Sequence, residues 1–563
     1  MVEVDVTVER GDRRVTSAQY KGLLERGTRC GRNRRLAAIG LLLPVTWFAA
    51  VSLLVWPLVN GPVADSWIYL RAVKRLNGGT ISFPGYSAAM PLLQVVYGAL
   101  WSRLFGLDYV SLNWSMVLLG VAGAMLFYLL AGRCGAGSKA ATLATALLIV
   151  NPCYLFLSFS FMTDVMFVTL LLAAHVMFAG AVQQGGETRL WICAAVLIAA
   201  FIVRPFALAA MAGCGIATLA TLPPGAIRSS ARRLLPFIAA AAVSVLIWLW
   251  LTAVLPIPWM LDVRESKLRY LYLVPIRTYF TDGLLAPLLY LGLVLSPVAV
   301  VHLISSRWRL GLAIAAVLAA VILPVLLSDA GARSIPELSC CGGWNNVLVL
   351  RGPSRFVWTN FPLRLAALAV SILGISGLIL AAMEIKGVSA GFLAVVLSSA
   401  IYWAGTLPLW LFNDRYYLVL LPAGCLLLAL APYRYGAMSG ALSVVMLAVM
   451  GWFAAAGVYD QQRGLEAVIS VRDALLHDGI ARGAIDAGYP LNGSDLYRDP
   501  QPGQTETFAL EAGIPPITTM KLKPYTIAAA PLSDSVIVQR FQWPGVLGFG
   551  RRTLYLLKTN KSD

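Results

Sequence analysis

The sequence predicts an all-α polytopic membrane protein with about 13 transmembrane helices of bilayer-spanning length, followed by a small C-terminal α/β domain. Two observations carry this prediction. The chain has 563 residues, of which 59% are hydrophobic and only 13% are charged, whereas about a quarter of the residues in a soluble domain are charged. Apolar runs recur between Leu36 and Val458, and most have the roughly 17–24 residues that a helix needs to cross about 30 Å of hydrocarbon.

The N-terminal segment 1–36 is predicted to be a basic cytoplasmic tail. It holds 9 Lys/Arg and 5 Asp/Glu. The first apolar run, 37–58, is longer than the core of a signal peptide and is followed by no small-x-small cleavage pattern. The run therefore favours a signal anchor that is retained in the protein.

The membrane domain is predicted to cover residues 37–458. Segment 190–221 is predicted as two short helices broken at Arg204–Pro205 rather than one long helix, because the basic loops then all lie on the cytoplasmic side. An odd number of spans places the N-terminus in the cytoplasm and the C-terminus in the periplasm. The predicted spans are 37–58, 113–131, 140–158, 162–182, 190–203, 206–221, 236–255, 284–304, 310–327, 363–383, 388–411, 416–432 and 437–457.

Four segments are predicted to lie outside the membrane on the periplasmic side. Loop 59–112 follows the first span, loop 256–283 is rich in Arg and Tyr and predicts an amphipathic surface helix, and loop 328–362 is rich in Gly, Pro, Ser and Cys. Segment 459–563 is neutral, with 11 Lys/Arg and 11 Asp/Glu. Its helical opening and its strand-like runs "SVIVQRF" and "TLYLLK" predict a small periplasmic soluble domain.

The net charge of +17 does not indicate nucleic-acid binding, because the excess lies in the N-terminal tail and in short loops between apolar runs. This is the positive-inside pattern of a bacterial inner membrane protein. We therefore expect membrane lipids around the chain and no nucleic-acid partner. The absence of an internal repeat weighs against transporters built from inverted repeats.

Several common catalytic motifs are absent from the sequence. It contains no Walker loop, no HExxH, no GxSxG and no CxxC, and only three histidines. Most of the eight cysteines lie in apolar runs or cytoplasmic segments, and the adjacent pair Cys340 and Cys341 has poor geometry for a mutual bridge. The sequence therefore predicts neither a disulfide framework nor a metal site.

Acidic residues of the membrane domain gather at one interface. Only 11 lie between residues 37 and 458, and the predicted topology places nine of them at or beyond the external face. Acids at mid-depth mark conduction or proton-relay paths, whereas acids at one face indicate chemistry there. Asp65 follows the first span, and either acts as general base or caps a helix over Ser66–Leu76. Asp164 is the only charged residue between Lys139 and Glu187, and it either caps a helix start or belongs to a site.

Two arginines break the positive-inside pattern on the external side. Arg204 precedes Pro205, and Arg415 lies in "LFNDRYYLVLLP". Guanidinium groups at this level suit a lipid phosphate through charge and forked geometry. The alternatives are snorkelling to ordinary lipid phosphates and pairing with Asp414 or Asp164.

An ordered series of motifs resembles the GT-C superfamily of membrane glycosyltransferases, in particular family-39-like bacterial proteins related to protein O-mannosyltransferases and the lipid A aminoarabinose transferase. The resemblance covers about residues 37–432, and "IDAGYPLNG" after the last span extends it. The motifs that carry it are "ADSWIYLRA", "FPGYSAAMPLLQVVYGALWSRLFG", "NPCYLFLSFSFMTDVMF", "FIVRPFAL" and "NDRYYLVLLP".

The resemblance implies an enzyme that takes a sugar from a polyprenyl-phosphate donor at the outer face of the membrane. It implies that Asp65 is the catalytic base or the residue that positions the acceptor, and that Asp164 is the second acid of the site. Arg204 and Arg415 match positions suited to the donor phosphate, and Arg71 is a further candidate for it. Tyr69 and Tyr417 are candidates for lining the sugar or lipid groove. Relatives often carry a second acid where this chain has Ser66. The resemblance therefore implies inverting transfer without a cofactor, with at most a weakly bound divalent metal.

The predicted function is transfer of a sugar from a polyprenyl-phosphate donor to a lipid, glycan or protein acceptor at the periplasmic face. A transporter or flippase of lipid-linked sugars is one alternative, and it requires polar residues along a path through the bilayer. An O-antigen polymerase or ligase, which uses pyrophosphate-linked donors, is another. Donor chemistry distinguishes the three.

Overall fold

Within the part of the chain that it covers, the computed structural model describes 17 α-helices, one π-helical stretch, two 3-10 stretches and six strands. The predicted surface helix in loop 256–283 and most of loop 328–362 lie outside the described residues, as does most of the N-terminal tail. The described residues are 8–9, 14–15, 38–84, 87, 90–220, 227–255, 276, 279–326, 350–351, 361–407, 414–432, 437–497, 523–546 and 550–559.

Helices account for nearly all of the membrane domain. A π-helical stretch, Tyr279–Leu285, leads into α11, and a 3-10 turn, Asp414–Val419, leads into α15. The helices are α1 (Ala38–Leu54), α2 (Ser66–Asn77), α3 (Leu92–Phe105), α4 (Tyr109–Arg133), α5 (Ser138–Ile149), α6 (Pro152–Ser158), α7 (Thr163–Gln184), α8 (Glu187–Val203), α9 (Ala207–Ala220), α10 (Ile227–Val254), α11 (Ala286–Ser305), α12 (Trp308–Leu326), α13 (Phe361–Glu384), α14 (Ala390–Thr406), α15 (Leu421–Leu430), α16 (Ala437–His477) and α17 (Tyr489–Leu496).

The apolar helices make this a multi-pass membrane protein. Among the described residues, six helices are long and apolar enough to cross a bilayer, and a seventh span results if the bent pair α5 and α6 counts as one. Helices occupy all of the positions where spans are predicted, but several are shorter than a full crossing. The number of about 13 spans and the orientation of the termini therefore stay predictions.

Two breaks in the helices set the geometry of the site. The predicted span 140–158 is bent by 66° between α5 and α6, because Asn151 accepts the Tyr154 N–H as an N-cap and Pro152 follows it at the first helical position. The predicted break at Arg204–Pro205 is present and separates α8 from α9. The stretch between α6 and α7 is the tight hairpin before Asp164.

The helices pack around a large apolar core, and a second, smaller core lies between α11, α12 and α13. Helix α7 contacts both α4 and α8, α9 packs on α14, and α11 packs along α13. Close approach of the last pair depends on small residues: a Cβ added at Gly292 would overlap the backbone carbonyl of Ser371, and one at Gly374 would overlap that of Gly292. Such small-residue contacts are typical of helix pairs in membranes.

The C-terminal segment folds as a small α/β domain, as predicted. Helix α16 runs on past the predicted end of the last span, and the four-stranded sheet behind it has the order β3-β4-β6-β5. Strand β3 is parallel to β4, whereas β4 and β5 are antiparallel to β6. The strands are β3 (Ile485–Asp486), β4 (Tyr525–Ala528), β5 (Ser535–Gly545) and β6 (Gly550–Thr559); β1 (Val8–Glu9) and β2 (Arg14–Val15) form a separate pair near the N-terminus.

The C-terminal domain contacts two segments between the predicted spans. Arg351 forms an ion pair with Asp486, with Nε 2.9 Å from Oδ2, and its backbone bridges to β4. Helix α17 packs on α2, where the Trp67 ring covers Gly493. These contacts hold the start of α17 over the start of α2.

Candidate active site

Asp65 stands at the start of α2 with its carboxylate turned away from the helix end. The residue occupies the N-cap position but makes no side-chain capping bond. Ser66 Oγ instead accepts the Val63 N–H at 2.8 Å. The preceding Ala64 has φ +46°, a left-handed conformation that is strained for alanine and is often found at functional sites. The capping interpretation of Asp65 is therefore wrong, and its carboxylate is available for other partners.

Two distant parts of the chain meet at the Asp65 carboxylate. Oδ1 accepts a hydrogen bond from the Tyr489 hydroxyl at 3.0 Å, and Oδ2 lies 3.3 Å from Arg415 Nη2 and 3.4 Å from Nη1. The Arg415 guanidinium also lies over the Tyr416 ring, at 5.4 Å from its centroid. The Asp65 side chain is 28% exposed, so it faces both protein and solvent.

Asp164 forms the second acid–arginine pair, at the start of α7. The N-cap of this helix is Met162, and no side chain caps it. Arg204 Nη2 lies 2.8 Å from Asp164 Oδ1, and Arg204 Nε donates to Thr163 Oγ1 at 2.8 Å. The angles between Arg204 and Asp164 are those of an ion pair and do not meet the geometry of a hydrogen bond. Neither Asp164 oxygen therefore has a hydrogen-bond partner among the described residues. Asp164 makes no side-chain capping bond, but it lies in the first turn of α7, where the helix dipole favours a carboxylate. The predicted pairing with Arg204 is present.

Tyr69 joins the two pairs into one cluster. Its phenol lies within electrostatic range of Asp65, Arg415, Arg204 and Asp164. Burial raises the pKa of this phenol well above its ordinary value; Asp65 and, more weakly, Asp164 raise it further, while the two arginines lower it. The phenol therefore stays protonated, and it can donate a hydrogen bond to a ligand but cannot act as a base.

The breaks in the helices explain why these residues meet. Helix α7 starts and α8 ends at the same end of the bundle, which brings Asp164 beside Arg204. The 3-10 turn that carries Arg415 packs on α7 and α14 at this end. Each charged side chain is thus placed by a helix end rather than by the middle of a span.

Two predicted site residues lie apart from the acid–arginine pairs. Arg71 Nη2 donates to the Ser494 carbonyl at 2.9 Å, and its guanidinium lies over the Tyr497 ring at 5.2 Å, in the contact between α2 and α17. The Tyr417 ring is buried beside that of Tyr290, with centroids 5.8 Å apart. Their predicted roles at the donor phosphate and in the groove stay predictions.

The cluster includes two tyrosines, Tyr489 and Tyr402, that are not among the site residues predicted from the sequence. Tyr489 lies in the quoted stretch "IDAGYPLNG", so its position in a motif was a usable signal. Tyr402 lies in an apolar run that gives no signal. Its hydroxyl is buried within electrostatic range of Arg204 and Asp164, and has no hydrogen-bond partner among the described residues.

The described residues include no group of three or more His, Cys, Asp or Glu side chains arranged to hold a metal ion. Ser66, at the position where relatives carry a second acid, is engaged by the backbone of Val63. The prediction of transfer without a tightly bound metal stays a prediction.

The arrangement can bind a phosphate and accept a proton at neighbouring points. Two guanidinium groups lie on one face of the cluster, and each is neutralised by one carboxylate. A planar guanidinium presents five N–H donors, which match phosphate oxygens. Of the two acids, Asp65 is the more exposed, at 28% against 1% for Asp164.

No protein-family model matches the chain, and no curated protein matches its sequence. The chain is similar to three kinds of solved structure. A structure of the S. cerevisiae protein O-mannosyltransferase Pmt1-Pmt2 complex bound to the sugar donor is 16% identical over 39% of this chain and 33% of that chain, with a TM-score of 0.34. The structure of ArnT from Cupriavidus metallidurans bound to undecaprenyl phosphate is 14% identical over 80% of this chain and 73% of that chain, with a TM-score of 0.43.

The third structure is the oligosaccharyltransferase AglB from Archaeoglobus fulgidus in complex with an inhibitory peptide and a dolichol-phosphate. It is 14% identical over 82% of this chain and 60% of that chain, with a TM-score of 0.44. The chain therefore spans a third of the mannosyltransferase chain and less than two thirds of AglB. A protein O-mannosyltransferase, one of the kinds of protein named in the resemblance from the sequence motifs, is among these structures.

Proposed function

We propose that the protein is a glycosyltransferase that takes a sugar from a polyprenyl-phosphate donor and transfers it to an acceptor hydroxyl at the periplasmic face of the inner membrane. The observation that carries this proposal is that two acid–arginine pairs, Asp65 with Arg415 and Asp164 with Arg204, lie at the same end of the helices. These residues come from separate parts of the sequence. The Asp65 carboxylate is 28% exposed and can be reached by an acceptor hydroxyl, whereas that of Asp164 is 1% exposed.

In the proposed reaction the acceptor oxygen attacks the anomeric carbon of the donor, and the bond from that carbon to the phosphate oxygen breaks. Asp65 takes the proton of the acceptor hydroxyl. Polyprenyl phosphate leaves with the additional negative charge, which Arg415 and Arg204 stabilise. A carboxylate accepts about four hydrogen bonds, so the contacts of Asp65 with Tyr489 and Arg415 leave room for the acceptor.

The transporter alternative has less support, because the ionisable residues of the cluster lie at one end of the helices. In the middle of α7, His175 Nδ1 is 2.7 Å from the Leu171 carbonyl and Nε2 is 3.1 Å from Ser398 Oγ. A buried histidine with both nitrogens paired is a packed residue rather than a step in a polar path. The polymerase or ligase alternative differs only in its donor, and the experiment below separates it.

The test is transfer of labelled sugar by the purified protein, with polyprenyl-monophosphate sugars as donors and cell-envelope extract as acceptor. We expect Asp65→Asn to lower the rate by at least about 100-fold, since a positioned general base contributes roughly 10²–10⁴-fold. Label that enters the acceptor only from pyrophosphate-linked donors would favour the polymerase or ligase.

Asp108→Asn is the matched control. Asp108 lies at the same end of the bundle, where Oδ1 accepts the Ser111 N–H at 2.7 Å as the N-cap of α4. Asparagine caps helices about as well as aspartate, so this variant should keep both its fold and its activity. Transfer that is insensitive to Asp65→Asn would exclude Asp65 as the base.

A further inference from the structure

Gln94, at the start of α3, is a completely buried amide. Its exposure is 0%, and neither Oε1 nor Nε2 has a hydrogen-bond partner among the described residues. Buried side-chain polar atoms are nearly always hydrogen-bonded, because leaving them unpaired destabilises the folded state. An amide with both ends unpaired is therefore a candidate for binding a ligand.

The packing of α2 against α3 places Gln94 beside the cluster. The two helices run in the same direction, and the contacts between them recur every four residues on each helix. Asn77 Nδ2 donates to Ser102 Oγ at 2.8 Å, and one turn earlier a Cβ at Gly98 would lie 2.9 Å from Val73 Cγ2.

One further turn back along both helices, this register sets Gln94 opposite Tyr69. The same side of α3 faces the hairpin before Asp164, because a Cβ at Gly98 would lie 2.7 Å from the Phe161 ring. The register thus places position 94 of α3 opposite position 69 of α2, the helix position that carries the phenol of the cluster.

Buried polar atoms without a hydrogen-bond partner also occur at two other points of this cluster, one of them in the Asp164–Arg204 ion pair. The Asp164 oxygens and the Tyr402 hydroxyl are buried, and they have no hydrogen-bond partner among the described residues. The three side chains offer an amide donor, an amide acceptor, a carboxylate acceptor and a phenol that donates or accepts. A phosphate needs donors only and a prenyl chain needs neither, whereas the hydroxyl groups of a sugar both donate and accept.

We propose that Gln94 binds a hydroxyl group of the transferred sugar and, together with Tyr402 and Asp164, selects which sugar the enzyme accepts. This inference rests on the proposed function and deepens it. The arginines bind the phosphate of the donor, and Gln94 binds a hydroxyl group of the sugar attached to that phosphate. A buried polar group that binds a hydroxyl distinguishes strongly between ligands with and without that hydroxyl, because a ligand that lacks it leaves the buried group unpaired.

The test compares wild-type protein with Gln94→Met, which keeps the length and the helix propensity of the side chain and removes both polar atoms. The unfolding temperature in detergent is measured without ligand, with undecaprenyl phosphate, and with undecaprenyl phosphate that carries glucose, galactose, mannose or N-acetylglucosamine. The matched control is Gln184→Met at the other, exposed end of α7.

We expect undecaprenyl phosphate to raise the unfolding temperature of all three proteins equally. At least one sugar-bearing lipid should raise it further in wild type and in Gln184→Met, and this difference should be lost in Gln94→Met. The ligand-free Gln94→Met protein should be at least as stable as wild type, since it no longer buries an unpaired amide.

A lower unfolding temperature of ligand-free Gln94→Met would show that the amide stabilises the fold, and would overturn the inference. An undiminished response of Gln94→Met to the sugars, or no added response to any sugar in wild type, would also overturn it. If undecaprenyl phosphate itself fails to stabilise wild type, the proposed function fails instead, so the two failures are distinct.

Discussion

At the scale of single residues, the Asp164–Arg204 pair holds opposite charges almost out of contact with water. Asp164 is 1% exposed and Arg204 is 12% exposed. Transfer of a charge from water into protein is costly, and it is offset here by the partner charge and by the N-terminal end of α7, whose dipole favours a carboxylate. Removing one member would therefore leave the other buried and unpaired.

We expect Asp164→Asn to lower the free energy of unfolding by about 3 kcal/mol, because breaking a buried ion pair from one side costs roughly 3–5 kcal/mol. Transfer should fall at the same time, since Arg204 would lose its orientation. Denaturant unfolding and sugar transfer, measured on the same detergent preparation, check both. Glu187→Gln at the exposed start of α8 is the control and should change neither. An Asp164→Asn protein of full activity would show that the pair serves folding alone.

Tyr489 tests whether the C-terminal domain takes part in the reaction. Its hydroxyl donates to Asp65 Oδ1 at 3.0 Å, and a hydrogen bond of this kind fixes the direction of the carboxylate. We expect Tyr489→Phe to lower kcat by roughly tenfold, about the effect of one lost hydrogen bond to a charged group, with little change in KM for the donor. Tyr555→Phe on β6, outside the contacts of Asp65, is the control. An unchanged kcat would mean that Asp65 is oriented by Arg415 alone.

The sequence predicts the charged members of the site better than their partners. An acid or an arginine in an apolar run is conspicuous, so Asp65, Asp164, Arg204 and Arg415 could be selected before any coordinates. Gln94 and Tyr402 could not, because their significance depends on burial and on missing partners. The pairing of Arg415 with Asp65 joins residues 350 positions apart, and no local pattern encodes it.

At the scale of elements, the contact between α17 and α2 is the feature that carries Tyr489 to Asp65. Gly493, one turn after Tyr489, lies against the Trp67 ring, and any Cβ there would overlap the ring. Trp67 is fully buried and has no room to move away. The helix can approach α2 this closely only because position 493 carries no side chain.

We expect Gly493→Val to push α17 off α2, with a loss of about 1–3 kcal/mol, typical of overpacking in a core. Transfer should fall at least as far as in Tyr489→Phe, because the whole turn that carries the hydroxyl moves. Gly483→Val is the matched control, since a Cβ at Gly483 would meet no atom within 4 Å. Limited proteolysis of the two valine variants checks the packing of α17, and transfer assays check their activity. Equal activity of both valine variants would contradict a role for this contact.

The sequence predicts where the helices lie better than it predicts their bends and their full lengths. Apolar length locates the helices, and Arg204–Pro205 locates the break between α8 and α9. The 66° bend between α5 and α6 is not visible as a gap in hydropathy, because the residues around Asn151 are apolar on both sides. The extension of α16 to His477 likewise exceeds the apolar run, since the outer part packs against the C-terminal sheet rather than lipid.

At the scale of the whole molecule, the two ends of the helix bundle differ in chemistry. The end with Asp65, Asp164, Arg204 and Arg415 also carries the C-terminal domain, through α17. The opposite end carries the basic turns around Arg133, Arg189 and Arg307 and the acid Glu384. The positive-inside rule predicts that the second end faces the cytoplasm, and on that prediction we propose that the donor is used at the periplasmic face.

Cysteine labelling tests this orientation. Ser533→Cys lies on an exposed loop of the C-terminal domain, and Thr188→Cys lies on the exposed start of α8 at the opposite end. The background for both replaces Cys30, Cys340 and Cys341 by serine, because the five described native cysteines are buried. A maleimide that cannot cross membranes should label Ser533→Cys in intact spheroplasts, whereas Thr188→Cys should be labelled only after lysis.

The outcome decides more than topology, because it fixes which pool of donor the site can use. A periplasmic site receives its sugar only from a lipid that has already crossed the membrane, so transfer in sealed inside-out vesicles should depend on donor incorporated into the inner leaflet of the vesicle. Reversed labelling, with Thr188→Cys modified in intact spheroplasts, would place the acid–arginine pairs on the cytoplasmic side. The proposed transfer would then have to take place there, and the periplasmic assignment would be wrong.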